Sequence, residues 1–151
     1  MKKIIVVTGG AGFVGANLIK LLVKKTNFNI ISIDDYSSGY KKNHIKSKKI
    51  KYINSHTKNI FKILKKEKNN INALFHLGEF SRIYQSFLKM NECINSNVIG
   101  TNEVFNFCFK HNVKLIYSAT SATIGNNGAD KNLSLYAFTK AKNLEMLENL
   151  K

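Results

Sequence analysis

The chain has 151 residues but no proline and no tryptophan. Without proline there is no rigid Pro-rich linker and no proline-kinked helix. Cysteine is scarce. Cys93 and Cys108 form no C-x-x-C pair, which excludes a disulfide framework and the common zinc motifs. Both lie in apolar surroundings and read as reduced core residues. His44, His56, His76 and His111 are scattered without metal-ligand spacing, so no metal site is expected. No apolar run approaches the ~20 residues of a membrane span, and no membrane partner is expected. Met1-Lys2-Lys3 followed by Ile4-Ile5-Val6-Val7 is too short for a signal peptide and lacks a cleavage pattern. A cytoplasmic location is the expectation. Acidic residues are few, 9 against 24 Lys+Arg, for a net charge of +15. Arg82 is the only arginine. Lysine, asparagine and isoleucine share A/T-rich codons, so a biased genome accounts for the excess. No basic stretch is interleaved with aromatics, and no nucleic acid partner is expected. The densest run, residues 41–49, reads as a solvated loop.

What is present is organised around Thr8-Gly9-Gly10-Ala11-Gly12-Phe13-Val14-Gly15. The apolar run Ile4–Val7 before it reads as a buried strand. Residues 17–23 after it carry helical apolar spacing. Glycines 9, 12 and 15 follow a G-x-x-G-x-x-G pattern between strand and helix. Such a turn lets a pyrophosphate approach the backbone and meet the positive end of the helix. The third glycine allows close helix–strand packing. A second strand, residues 30–33, ends at Asp34. This acid lies about 20 residues past the last glycine, where a dinucleotide fold holds a ribose hydroxyl.

The rest alternates. Strands are predicted at 50–53, 73–77 and 113–117. Helices are predicted at 60–68, over a long region 84–110, and from Ser134 to the end. This alternation predicts an α/β fold: a Rossmann-like, doubly wound parallel sheet with helices on both faces. The length allows one domain, residues 1–151.

In order along the chain come the glycine turn, Asp34-Asp35-Tyr36-Ser37-Ser38-Gly39, Phe75-His76-Leu77, Asn97-Val98-Ile99-Gly100-Thr101 and Tyr136-Ala137-Phe138-Thr139-Lys140. Together these resemble the extended short-chain dehydrogenases/reductases, of the NAD-dependent sugar-nucleotide epimerase/dehydratase type. The resemblance covers essentially the whole chain, and the glycine motif with Tyr-x-x-x-Lys is a specific combination. It implies NAD as cofactor, a nucleotide-sugar substrate, and hydride transfer that epimerises or dehydrates the sugar.

The chemistry of the Tyr-Lys pair follows from its spacing. Residues four apart share a helix face. An ammonium near a phenol stabilises the phenolate, so that Tyr136 can act as a base toward a sugar hydroxyl. By resemblance, Lys140 also holds the nicotinamide ribose. The family's third catalytic residue is a Ser or Thr five positions before a glycine. Counted from Gly125, it is Thr120, with Ser118, Ser121 and Thr123 as rivals. Asp34 favours NAD over NADP, because a carboxylate accepts from a 2′-hydroxyl and repels a 2′-phosphate. By resemblance, Phe13 and Val14 line the pyrophosphate turn with Gly9, Gly12 and Gly15. Leu77, Gly78 and Glu79 lie along the cofactor, and Asn97 lies near it or makes a structural hydrogen bond within the helix.

Three positions depart from the family pattern. Ser55-His56-Thr57-Lys58-Asn59 stands where an aspartate pair is common. Gly78-Glu79 replaces a pair of small residues. Ile124 precedes Gly125 where tyrosine is frequent. The family continues beyond the Tyr-Lys helix, whereas this chain stops at Lys151, so it reads as truncated before the last strands and the substrate-binding region. The alternative is a stand-alone, non-catalytic NAD(H)-binding module. Family members often dimerise through helices corresponding to 84–110 and 134–151, so the resemblance implies a homodimer.

Overall fold

The computed structural model describes residues 3–150. Met1, Lys2 and Lys151, the ends of the expected 1–151 domain, lie outside the described residues. Five strands form one parallel sheet: β1 (Ile4–Thr8), β2 (Asn29–Asp34), β3 (Ile50–Asn54), β4 (Ile71–His76) and β5 (Lys114–Tyr117). Their order is β3-β2-β1-β4-β5, with β1 in the centre. This is the expected Rossmann-like sheet. The chain first winds outward from β1 to β3, then crosses back to β4. That reversal opens a crevice at the carboxyl ends of β1 and β4.

β1 is β-branched and buried on both faces, as a central parallel strand requires. Its residues alternate between two cores. Val6 points to Ile31, Ile33, Leu74 and Phe107, under α2 (Ile60–Ile63) and α5 (Thr101–Lys110). Ile5 and Val7 point to Ile19 and Ile30, under α1 (Phe13–Lys25). Helices therefore cover both faces. Among the described residues no helix is long and apolar enough to cross a membrane.

Two expected helices come out differently. The 60–68 helix ends at Ile63, and Leu64 already leaves helical geometry. Lys62, Lys65 and Lys66 would stack like charges at helical spacing, which opposes extension. Leu64 is fully buried, and that contact holds the segment instead. The long 84–110 helix is broken. It comprises α3 (Ile83–Leu88), a non-helical Lys89, α4 (Met90–Cys93), a widened π-helical stretch Ile94–Gly100, and α5. The break serves α6 (Leu135–Glu148). Ser86 Oγ accepts from the Tyr136 N–H at 3.4 Å, and Asn97 Nδ2 donates to Thr139 Oγ1 at 3.2 Å. α6 begins where expected, with Ser134 capping it by accepting from the Ala137 N–H at 3.0 Å.

Phe107 is fully buried and meets Phe61 edge to face, with ring centroids 5.3 Å apart. Phe107→Ala is expected to cost about 3–5 kcal/mol, read as a lower urea midpoint with unchanged slope.

Candidate active site

The glycine turn is shaped by backbone touching backbone. Gly9 has φ +70, and a Cβ there would lie 2.7 Å from the Gly78 nitrogen and the Leu77 carbonyl carbon. A Cβ on Gly15 would overlap the Gly9 carbonyl oxygen. These two positions admit only glycine. The Ala16 N–H closes the first helical bond of α1, to the Gly12 carbonyl at 3.0 Å. The N–H groups of Phe13, Val14 and Gly15 precede it and have no acceptor within the helix. These three residues line a cleft of about 320 Å³.

That cleft is lined by Gly9, Gly12, Phe13, Val14, Gly15, Asp34, Leu77, Gly78 and Glu79. Ser37, Ser38 and Gly39 close it beside Asp34, with Ser55, His56 and Thr57 from the turn after β3, and Ser118 from the end of β5. Asp34 is held rigidly: Oδ2 accepts from the Ala11 N–H and Oδ1 from the Tyr36 N–H, both at 2.8 Å. Each oxygen keeps a free lone pair for a ribose hydroxyl. The donor end of α1 and the carboxylate of Asp34 fit the pyrophosphate and ribose of a dinucleotide.

At the other end stands a buried polar cluster. Lys140 on α6 forms an ion pair with Glu79 and donates to the Ser118 carbonyl. The two charged side chains are 6% and 3% exposed. Glu79 Oε1 also accepts from Thr101 Oγ1 at 3.0 Å, Tyr117 OH at 3.1 Å and Asn143 Nδ2 at 3.2 Å. Burial raises its pKa, while the Lys140 ammonium and these hydrogen bonds oppose the rise. Four donors address its two oxygens, the environment of an ionised carboxylate. Burial and the neighbouring Glu79 charge push the Tyr117 phenol upward, so it stays a neutral donor.

The cluster continues into the sheet. Thr8 Oγ1 accepts from the N–H groups of Leu77 and Gly78 at 3.1 and 3.0 Å. Its own proton is therefore free for His76 Nδ1, 2.7 Å away. His76 is then a donor at Nε2, 3.0 Å from Thr101 Oγ1. Thr101 in turn donates to Glu79. A directed chain of hydrogen bonds thus runs from β1 to the carboxylate.

Tyr136 is half-buried at the start of α6, one turn before Lys140. Asn97 does not face the cleft. It is fully buried, and it clamps the loop after β4, accepting from the Phe80 N–H at 2.7 Å and donating to the Phe80 carbonyl at 3.1 Å. Thr120 is not among the residues that line the cleft. Its Oγ1 caps a short turn by accepting from the Ala122 N–H at 3.2 Å, whereas its rival Ser118 lines the cleft. The Glu79 network was invisible in sequence, because Thr101, Tyr117 and Asn143 come from three separate elements. The one available signal was a glutamate where small residues are usual.

Fold and cleft together define a Rossmann-like α/β protein with a cleft at the carboxyl edge of its sheet. The family described as "NAD dependent epimerase/dehydratase family" matches residues 5–151, and the chain belongs to it. It is 28% identical over 146 residues to an ADP-L-glycero-D-manno-heptose-6-epimerase of Brachyspira hyodysenteriae, covering 90% of this chain and 45% of that protein. A UDP-N-acetylglucosamine 4-epimerase from Methanobrevibacter ruminantium, solved with UDP-N-acetylmuramic acid, superposes with a TM-score of 0.82 at 26% identity, over 99% of this chain and 51% of that one. An epimerase from Methanothermobacter thermautotrophicus shares the fold, with a TM-score of 0.84 at 24% identity, over 98% of this chain and 47% of that one. The chain thus spans about half the length of the relatives it matches.

His76 yields a pH prediction. Burial and the nearby Lys140 lower its pKa from 6.5 to about 3. The unfolded chain takes up this proton below pH 6.5 and the folded chain does not. The stability it contributes is therefore complete above pH 6.5 and is lost as pH falls toward 3. Between these values the native protein is expected to lose stability more steeply than His76→Gln, by up to ~1.4 kcal/mol per pH unit in chemical unfolding.

Proposed function

We propose that this chain is the cofactor-binding part of an NAD-dependent enzyme that epimerises or dehydrates a nucleotide-activated sugar. One observation carries the reading. The glycine turn and Asp34 line one cleft at the carboxyl edge of the sheet, and the lysine of the Tyr-x-x-x-Lys motif is buried behind its wall, paired with the cleft-lining Glu79 and bonded to the Ser118 carbonyl. Family membership supports it.

Phe13, Val14 and Gly15 offer N–H groups to the pyrophosphate, and Asp34 accepts from the adenosine ribose. Lys140 holds the nicotinamide ribose. NAD, when bound, supplies a reversible hydride acceptor for a sugar carbon. Tyr136 takes the hydroxyl proton as that carbon becomes a carbonyl, and returns it when the carbonyl is reduced. Reduction from the other face inverts the centre. Thr120 or Ser118 hydrogen-bonds the reacting oxygen. Of the two, Ser118 has the position on the cleft. A cytoplasmic location and a homodimer belong to the same reading. Ile83, Tyr84, Phe87 and Leu88 on α3 and Phe138 on α6 are exposed apolar side chains that a partner copy would cover.

A second reading is a non-catalytic NAD(H)-binding module. It is favoured by one feature: the Lys140 ammonium is already engaged by Glu79.

NAD titrated calorimetrically is expected to bind, and NADP to bind more weakly. Asp34→Asn should weaken NAD by about tenfold, the worth of a charged hydrogen bond, and narrow the gap to NADP. In the protein with its substrate region, Tyr136→Phe should abolish turnover of a nucleotide sugar and leave NAD affinity within about twofold. Undiminished turnover would remove Tyr136 from the mechanism. NAD binding with no redox change on any nucleotide sugar would favour the binding module.

A further inference from the structure

Glu79 has no part in the chemistry just described, yet it is the most elaborately held carboxylate in the protein. Its side chain is 3% exposed and meets one ammonium and three neutral donors. It also lines the cleft. Burying a carboxylate this deeply carries a large desolvation cost. The loop after β4 does not need it as an anchor. Asn97 already clamps Phe80 through two hydrogen bonds, and Thr8 holds Leu77 and Gly78.

Its position on the cleft points to a different role. Asp34 at the end of β2 marks the adenosine end, and the glycine turn after β1 marks the pyrophosphate. The other half of a dinucleotide then extends across the sheet order toward β4 and β5, where Glu79 and Ser118 line the wall. That half carries the nicotinamide, which is cationic when oxidised and neutral when reduced. Lys140 lies against the same wall. An unopposed buried ammonium there would repel the oxidised ring and favour the reduced one, because a charge in a low-dielectric wall is poorly screened.

We infer that Glu79 is the counter-charge to Lys140. It lets the lysine stand at the nicotinamide end of the cleft without biasing the site against oxidised cofactor. This rests on the reading of the cleft as an NAD site. Two neutral links insulate the pair from further charge. His76 is uncharged at neutral pH, and Thr101 passes its hydrogen bond on to the carboxylate. Glu79 is a positioning residue for charge and takes no proton from the substrate.

The test is the ratio of NAD⁺ to NADH affinity, measured by titrating each cofactor into the whole chain. Contacts common to both forms cancel in this ratio. Glu79→Gln leaves the ammonium unopposed and is expected to shift the ratio at least about fivefold toward NADH. Lys140→Met leaves the carboxylate unopposed and should shift it the opposite way. The double variant carries neither charge and should return the ratio to within about twofold of native, although both affinities fall. If Glu79→Gln does not fold, as breaking a buried pair threatens, Lys140→Met decides by the sign of its shift. Native-like ratios in the folded single variants would overturn the inference and leave the NAD site standing. Failure of the native chain to bind either cofactor would overturn the NAD site itself, and the inference with it.

Discussion

The structure depends on one contact between two backbones. Gly9, in the turn after β1, lies against Leu77 and Gly78, in the loop after β4, with no room for a methyl group between them. The two strands are sequence-distant neighbours at the centre of the sheet, and their carboxyl ends meet here. Gly15 brings α1 down onto the same turn. Three segments are thereby packed as closely as polypeptide allows. The space left over is the cleft. A side chain at Gly9 or Gly15 would part the segments and change that space before it changed any functional residue.

The second constraint is electrostatic. The carboxyl end of a parallel sheet gathers polar groups that must be satisfied once helices cover both faces. Here they are satisfied in series, from Thr8 through His76 and Thr101 to Glu79, and across to Lys140 on α6. Every buried side-chain nitrogen and oxygen among the described residues has a partner. Each donor in the series is assigned by its neighbour. The helix that brings Tyr136 and Lys140 is thus oriented by the sheet core as well as by its own apolar residues. Asn97 and Asn143 add to this seam: Asn143 Nδ2 donates to the Asn97 carbonyl at 2.6 Å.

Local patterns foretold the architecture because each rests on short-range physics. The Ile4–Val7 run, the glycine turn and the acid at the end of β2 are contiguous, or separated by one helix, so their geometry follows from strand, turn and helix rules. The start of α6 was legible from Ser134 for the same reason. The helices at 60–68 and 84–110 came out otherwise. The first is shortened by lysine repulsion and by the burial of Leu64. The second is broken so that Ser86 and Asn97 both reach α6. Such a break answers to a partner about 40–50 residues away in sequence, beyond the reach of periodicity.

The residues of the cleft divide along the same line. Gly9, Gly12, Gly15 and Asp34 were readable because a spacing along the chain is itself the geometry they need. Thr120 and Asn97 were chosen by position within a pattern; in the structure the one caps a turn and the other clamps a loop. The pairing of Glu79 with Lys140 could be decided only in three dimensions. The two are separated by 61 positions, and their attraction acts only once β4, β5 and α6 have packed. Sequence order determined which backbone would turn around an anion. Desolvation, which exists only after the chain has closed, decided which charges would face each other inside it.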